Sequence, residues 1–349
     1  MDQRLRVVVA SPLAGELCDL VARVEPRIEL VVDQALLPPM RWPGDHGGDP
    51  AFTRTAQQQS RFEELVDTAD ALYGLPDESP AALRRTVQAN PKLRWVHTMP
   101  AGGGAQVKAA SLSADQLERI AFTTSAGVHG ANLAEFAVFG VLAGAKDLLR
   151  LLEHQAAREW PGRWCMRQVE EMTILVLGLG GIGRACASRF IGLGATVIGV
   201  SRSACDLPGL SSVIPPTELL DAIATADALV VTLPGTDATH HLVNAEVLRA
   251  AKPGCILVSV GRGTVIDEQA LVGALESGSI GFAAMDVFEA EPLAPESPLW
   301  DMPNVLVSPH TAALNAAEDR RIAELFAENA RRLLDGDRLI NAVNTHEFY

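Results

Sequence analysis

Three side chains that could bind and protonate a carboxylate-bearing substrate lie just past apolar runs, not on a helical surface. Arg262 stands in Val258-Ser-Val260-Gly261-Arg262-Gly263-Thr264, flanked by glycines that leave room for a ligand. A guanidinium there can fork onto a carboxylate. Glu291 lies in Asp286-Val-Phe-Glu-Ala-Glu291-Pro292 and His310 in Val307-Ser308-Pro309-His310. Taken singly, each reads equally well as a surface residue. Together they supply what reduction of a carbonyl requires: a fixed positive group for the charge developing on oxygen, a proton donor, and a carboxylate that favours the imidazolium form of that donor. Asp286 has three open roles: orienting a neighbour, binding the nicotinamide side of a cofactor, or capping the turn.

The stretch that must place these groups is Thr173-Ile-Leu-Val-Leu-Gly178-Leu-Gly180-Gly181-Ile182-Gly183-Arg184. Its apolar run fits a strand buried on both faces, and Gly178, Gly180 and Gly183 form G-x-G-x-x-G. The first glycine makes a tight turn, the second lets backbone approach a pyrophosphate, and the third lets the following helix pack on the strand. A second strand, Ala195–Val200, follows at βαβ spacing, which makes this a dinucleotide site. Its selectivity rests on Val200-Ser201-Arg202-Ser203. NAD-specific domains place an acidic residue there for the ribose, whereas this chain has Ser201, with Arg202 beside it for an extra phosphate and a second hydroxyl at Ser203. Asp206 comes too late, after the strand should have ended. The expectation is NADP preferred over NAD.

Short apolar runs alternate with helical patterns along the chain, which predicts an α/β fold of two parallel-sheet domains. Strands are expected at Leu5–Ala10, Ile28–Val32, Ala71–Leu75 and Leu93–His97, then at Ala228–Leu233, Cys255–Val260, Gly281–Val287 and Val305–Ser308. Helices are expected near Gly15–Val24, 56–67, 80–89 and 314–335, with one long helix over 131–152. Residues 38–50 read as a Pro/Gly-rich loop carrying an exposed His46. Thr98-Met-Pro-Ala101-Gly102-Gly103-Gly104 reads as a flexible loop at the end of a strand, where freed backbone N–H groups form an anion nest.

Composition narrows the function further. The 349 residues carry a net charge of −14 with no Lys/Arg run, which argues against nucleic acid and anionic membrane as partners. Five scattered cysteines without ligand spacing fit reduced thiols in a cytoplasmic protein and argue against a metal site. The N-terminus leads into only a short strand-like run, so neither a signal peptide nor a membrane anchor is expected. Trp160 and Trp164 stand in a Pro/Gly/Arg segment with no core periodicity, the composition of an interface, and predict a homodimer built on this arm and the helix from 131.

These segments resemble the D-isomer-specific 2-hydroxyacid dehydrogenases, which include glyoxylate/hydroxypyruvate reductases and phosphoglycerate dehydrogenase. The matching residues are Ala126-Gly-Val-His129 through Leu133-Ala-Glu135, Gly178–Gly183, Thr232-Leu233-Pro234 with Thr236 and Thr239, Gly261–Asp267, Asp286-Val-Phe with Glu291-Pro-Leu, and Ser308-Pro-His310. The resemblance implies a flavodoxin-like catalytic domain of residues 1–127 plus 311–349, and an inserted Rossmann domain of residues 128–310. It implies that Arg262 binds the substrate carboxylate and polarises its keto oxygen, that His310 is the acid/base, and that Glu291 pairs with His310. Ala101, Gly102 and Gly103 would join Arg262 in binding substrate. Gly178, Gly180, Gly181, Ile182, Gly183, Ser201, Arg202, Ser203, Leu233, Pro234, Thr239, Val260, Gly261, Asp286 and His310 would line the cofactor. The expected activity is NAD(P)H-dependent reduction of a small 2-keto acid. The alternatives are an enzyme for a larger or phosphorylated hydroxy acid, or a dinucleotide-sensing protein of the same fold. The family's substrate loop usually carries Gly-Val-Asp, and this chain's Ala101-Gly-Gly-Gly-Ala-Gln106 departs from it.

Overall fold

A computed structural model describes residues 4–348; Met1–Gln3, the start of the N-terminal run, and Tyr349 lie outside the described residues. In chain order the elements are β1 (Leu5–Val9), α1 (Gly15–Val24), β2 (Ile28–Val31), α2 (Ala56–Val66), β3 (Ala71–Tyr73), α3 (Pro80–Ala89), β4 (Trp95–Thr98), α4 (Gly104–Ala109), α5 (Ala114–Arg119) and β5 (Ala121–Thr124). There follow α6 (Gly130–Ala145), α7 (Leu148–Ala157), β6 (Thr173–Leu177), α8 (Gly181–Gly192), β7 (Thr196–Val200), β8 (Ser212–Ile214), α9 (Leu219–Ile223) and β9 (Ala228–Val231). The chain ends with α10 (Ala245–Ala250), β10 (Cys255–Ser259), α11 (Glu268–Ser277), β11 (Ile280–Met285), β12 (Val305–Val307) and α12 (Glu318–Asp335). The chain divides into two compact units, Met1–His129 with Leu314–Tyr349, and Gly130–Ala313.

The first unit is a five-stranded sheet in the order β2-β1-β3-β4-β5, every pair parallel. Its central strands β1, β3 and β4 are almost wholly buried, as parallel strands covered on both faces are. Returning from the far end of the chain, α12 packs on α1 and places Phe326 against Trp95 (ring centroids 4.5 Å apart, stacked) and Tyr73 (5.1 Å, edge-on). All three rings are buried, and burial of each large apolar side chain contributes on the order of 2 kcal/mol. His97 is enclosed beside them, between Thr123 Oγ1 (2.8 Å) and Ser125 Oγ (3.1 Å). Burial drives its ring down to about 3, so it stays neutral and serves the core.

The second unit is a seven-stranded parallel sheet in the order β12-β11-β10-β9-β6-β7-β8, with an apolar core on each face. The strand order reverses at β6, which pairs β7 on one side and β9 on the other. Ligands of open α/β sheets bind outside the carboxyl ends of the strands at such a point.

Several expectations are corrected. The long helix over 131–152 is two helices, because the chain turns at Asp147 (φ +52°), whose carboxylate accepts the Trp164 indole N–H at 2.7 Å. Of the two, α6 is buried against the sheet and α7 is on the surface. The last helix begins at Glu318, not 314, where Asn315 accepts backbone N–H groups from Ala317 (3.0 Å) and Glu318 (3.1 Å) and starts the turn. The glycine loop after β4 is shorter than expected, since α4 starts at Gly104. Strands β5 and β8 add to the expected set: half of β5 is threonine and β8 offers only Val213 and Ile214, so neither stands out as an apolar run. His46 is not an exposed loop histidine: its side chain lies against Glu318 (Nε2 to Oε1 3.3 Å). Among the described residues no helix is long and apolar enough to cross a membrane.

Candidate active site

The chemistry-bearing residues of the second unit leave the carboxyl ends of three adjacent strands. Arg262 follows β10, Glu291 follows β11 and His310 follows β12. His310 holds a left-handed backbone (φ +52°), with its N–H on the Ser308 carbonyl (3.0 Å). Its Nδ1 meets Glu291 Oε2 at 2.6 Å, while the other Glu291 oxygen accepts the Phe288 N–H (3.0 Å) and is thereby fixed. Pairing through Nδ1 leaves Nε2 as the ring atom that can deliver a proton.

Asp286 explains why His310 stands where it does. The residue is wholly buried, and its Oδ1 accepts the Ser308 hydroxyl (2.5 Å) and the Thr311 and Ala312 N–H groups (3.0 Å each). Of its three open roles the structure displays the cap: the turn that carries His310 is wrapped around this carboxylate. Burial pushes the Asp286 carboxyl up, and the three hydrogen bonds only partly offset it. Ser308, to which the sequence pattern assigns no role, supplies the shortest of them.

Arg262 is exposed, with Nη1 donating to the Gly261 carbonyl (2.9 Å). Around it the backbone is packed too tightly for side chains, since a Cβ on Gly261 would lie 2.4 Å from the Leu233 carbonyl oxygen. Val260 is buried beneath. Beside this segment, Thr239 Oγ1 donates to the Pro234 carbonyl (2.6 Å) and closes the loop after β9. A second pair, His241 Nε2 with Glu289 Oε1, has no sequence signal, because its partners are 48 residues apart.

The dinucleotide cradle fits its cofactor class on geometry. Gly178 adopts φ +98°. A Cβ on Gly183 would fall 1.8 Å from the Gly178 carbonyl oxygen, whereas one on Gly180 would meet open space. Thr232 Oγ1 ties the turn down through the Leu177 (3.1 Å) and Gly178 (3.0 Å) carbonyls. Gly180 provides no side-chain cap to α8, so the N–H groups of Gly181, Ile182 and Gly183 open the helix without a competing oxygen, as phosphate binding requires. At the far end of β7, Ser201 Oγ accepts the Ser203 N–H (3.1 Å), and Arg202 and Ser203 are exposed.

In the first unit, Ala101 and Gly102 form a turn after β4, half-buried and exposed respectively. Gly103 differs from the expected nest. Its N–H is spent on the Pro100 carbonyl (3.2 Å), and a Cβ there would lie 1.8 Å from Thr98 Oγ1, so it builds the loop.

Comparison with known proteins adds the following. The family model described as D-isomer specific 2-hydroxyacid dehydrogenase, NAD binding domain, matches residues 138–312. Glyoxylate/hydroxypyruvate reductase B of Yersinia enterocolitica is 32% identical over 288 residues, covering 80% of this chain and 86% of that protein. A crystal structure of a D-isomer specific 2-hydroxyacid dehydrogenase from Xanthobacter autotrophicus Py2, in complex with NADPH and MES, matches with a TM-score of 0.75 and 30% identity, covering 99% of this chain and all of that one. The NADPH-dependent glyoxylate/hydroxypyruvate reductase of Sinorhizobium meliloti shares the fold with a TM-score of 0.77 at 24% identity over 99% of this chain and all of that one.

Proposed function

Because the chain belongs to the D-isomer specific 2-hydroxyacid dehydrogenase family, we propose that it reduces a small 2-keto acid of the glyoxylate or hydroxypyruvate type to the D-2-hydroxy acid, using NADPH in preference to NADH. The observation that carries this reading is the His310–Glu291 contact at 2.6 Å, on loops that follow β11 and β12, next in the sheet to the β10 that Arg262 follows. Arg262 binds the substrate carboxylate and draws the charge that develops on the keto oxygen. His310 gives that oxygen its proton from Nε2, and Glu291 positions the ring through Nδ1. In the first unit, the N–H groups of the Ala101–Gly102 turn offer donors to a carboxylate. The reduced nicotinamide supplies the hydride when bound, with Gly178–Gly183, Leu233, Pro234, Thr239, Val260 and Gly261 holding the dinucleotide. Asp286 serves that site by fixing the turn of His310.

The NADPH preference rests on Ser201, Arg202 and Ser203, a cation and two hydroxyls where a carboxylate would repel the 2′-phosphate. The NADPH held by the Xanthobacter relative supports it. The deciding measurement is kcat/KM for both cofactors across a panel of 2-keto acids. Absence of turnover on every acid removes the enzymatic reading, and a ratio favouring NADH removes the cofactor reading.

Three further readings complete the proposal. The protein is a homodimer through α6, α7 and the arm beyond, where Trp160 is 100% exposed and Leu151, Leu152 and Met166 are exposed as well, large apolar side chains of the kind that interfaces cover. Trp164 is instead packed within the unit, under the Arg150 guanidinium (4.0 Å). Light scattering at micromolar concentration should give twice the monomer mass, and Trp160→Glu should lower it. Cytoplasmic residence is supported by the cysteines, all unpaired, of which Cys18, Cys186 and Cys255 are buried with thiols pushed up by that burial to about 11, 12 and 12. The substrate and the dinucleotide are the small-molecule partners, with no role for nucleic acid or membrane.

A further inference from the structure

The loop after β7 is tethered at both ends. At its near end Ser201 Oγ takes the Ser203 N–H. At its far end the Arg184 guanidinium forks onto it, Nη1 to the Cys205 thiol sulfur (2.9 Å) and Nη2 to the Asp206 carbonyl (2.9 Å). Arg184 is the fourth residue of α8, and its own N–H makes the helix's opening bond to the Gly180 carbonyl (2.9 Å). The helix whose N-terminus faces the pyrophosphate therefore also grips the loop that carries Arg202.

We propose that Arg184 is a positioning residue for cofactor choice, holding the Ser201–Asp206 loop so that Arg202 and the two serines meet the 2′-phosphate already ordered. The inference rests on the NADPH preference proposed above. An exposed loop that must be ordered on binding loses affinity to that ordering, and two tethers set before the ligand arrives remove most of the loss. A planar fork suits this task, because it reaches the sulfur and the carbonyl together and fixes their separation. Arg184 acts through the loop, to which one N–H of each Nη is committed. The effect belongs to the dinucleotide with the extra phosphate; NADH makes no demand on Arg202 and should be indifferent to the tether.

The test is the ratio of kcat/KM for NADPH to that for NADH, measured on one 2-keto acid with the full-length protein. Arg184→Gln should lower the ratio roughly tenfold through KM for NADPH, with kcat for both cofactors and KM for NADH unchanged. Arg184→Lys, which keeps the charge and one donor contact, should recover part of it. Cys205→Ala removes one of the two acceptors and should move the ratio the same way by less. Unchanged kinetics with NADH show that each variant is folded. A wild type that favours NADPH, with the same ratio in Arg184→Gln, overturns this inference alone, and a wild type that favours NADH overturns the cofactor reading on which it stands. A lowered ratio in Arg184→Gln with none in Cys205→Ala would make Arg184 a direct phosphate ligand and overturn the positioning role.

Discussion

Two histidine–carboxylate contacts, one in each unit, use the same chemical groups in opposite surroundings. His310 and Glu291 meet at 2.6 Å with side chains 43% and 35% exposed, on loops at the edge of a sheet. His129 Nε2 meets Glu318 Oε1 at 2.9 Å in the interior of the first unit, where the Glu318 side chain is 2% exposed and His46 adds a second contact. Burial alone would raise the Glu318 carboxyl, but hydrogen bonds from His129 and His46, with the charge of both rings, outweigh it and hold the carboxyl down at about 2. Its neighbour Asp319 accepts the Gly44 N–H (3.1 Å), so the first turn of α12 is fastened to residues 44–46 and to the end of the segment before α6. A pair open to water can exchange a proton with a substrate. A pair sealed inside can only hold chain segments together.

The comparison is broken most directly at the exposed pair. His310→Ala and Arg262→Ala should each cut turnover by at least ~10², the scale for losing a proton donor or a charge stabiliser, while cofactor affinity measured by fluorescence titration stays close to wild type. Wild-type turnover in His310→Ala would remove the mechanism. At the buried pair the loss should be in stability. Glu318→Gln should cost about 3 kcal/mol in urea unfolding, because it strands two enclosed imidazoles, whereas surface pairs contribute about 1 kcal/mol or less. The pH dependence has a definite sign. A carboxyl held at about 2, against 4.5 ordinarily, stabilises the fold fully above about 4.5 and loses that contribution as pH falls toward 2. Wild type and Glu318→Gln should therefore converge in acid, and equal gaps at pH 7 and pH 3 would contradict the buried-clamp role.

Glu291→Gln sharpens the contrast on the catalytic side. The amide still accepts from Phe288 and can still hold His310, but without charge, so kcat should fall by roughly tenfold, less than on losing His310 itself. A kcat equal to that of wild type would make Glu291 a spacer only.

The difference between the pairs also explains what could be read in the sequence. His310, Glu291 and Arg262 each follow an apolar run and sit among Gly or Pro, so a strand period located them, and the glycine spacing located the cradle at Gly178–Gly183. His46, His129 and Glu318 gave no such sign. His46 lies in a stretch without periodicity, and Glu318 is 272 residues away, brought to it only because α12 returns to the first sheet. The break at Asp147 was hidden for a related reason: the apolar spacing runs on through it, and the side chain that favours the turn is satisfied by Trp164, 17 residues later. Local pattern reveals groups held by their own strand, and long-range closure stays invisible until the chain is folded.

The smallest effect is expected at Asp286, which is buried like Glu318 but forms no ion pair among the described residues. Asp286→Asn keeps one oxygen to accept from Ser308, Thr311 and Ala312, so at neutral pH it should change stability by less than about 1 kcal/mol. Its dependence on pH should run opposite to that of Glu318. Burial raises the Asp286 carboxyl above its ordinary 3.8, so the folded chain holds this proton more tightly than the unfolded chain does. The resulting stability is complete below about 3.8 and is lost as pH rises through the folded-state value. The neutral amide has no such dependence, so wild type should lose ground against Asp286→Asn as pH rises from 3.8, while it gains ground against Glu318→Gln as pH rises from 2 to 4.5. Urea midpoints of the three proteins at half-unit steps from pH 3 to 8 would measure both slopes. Slopes of the same sign would mean that Asp286, too, is held charged by a partner, and that the turn of His310 is fastened by an ion pair instead of by a buried cap.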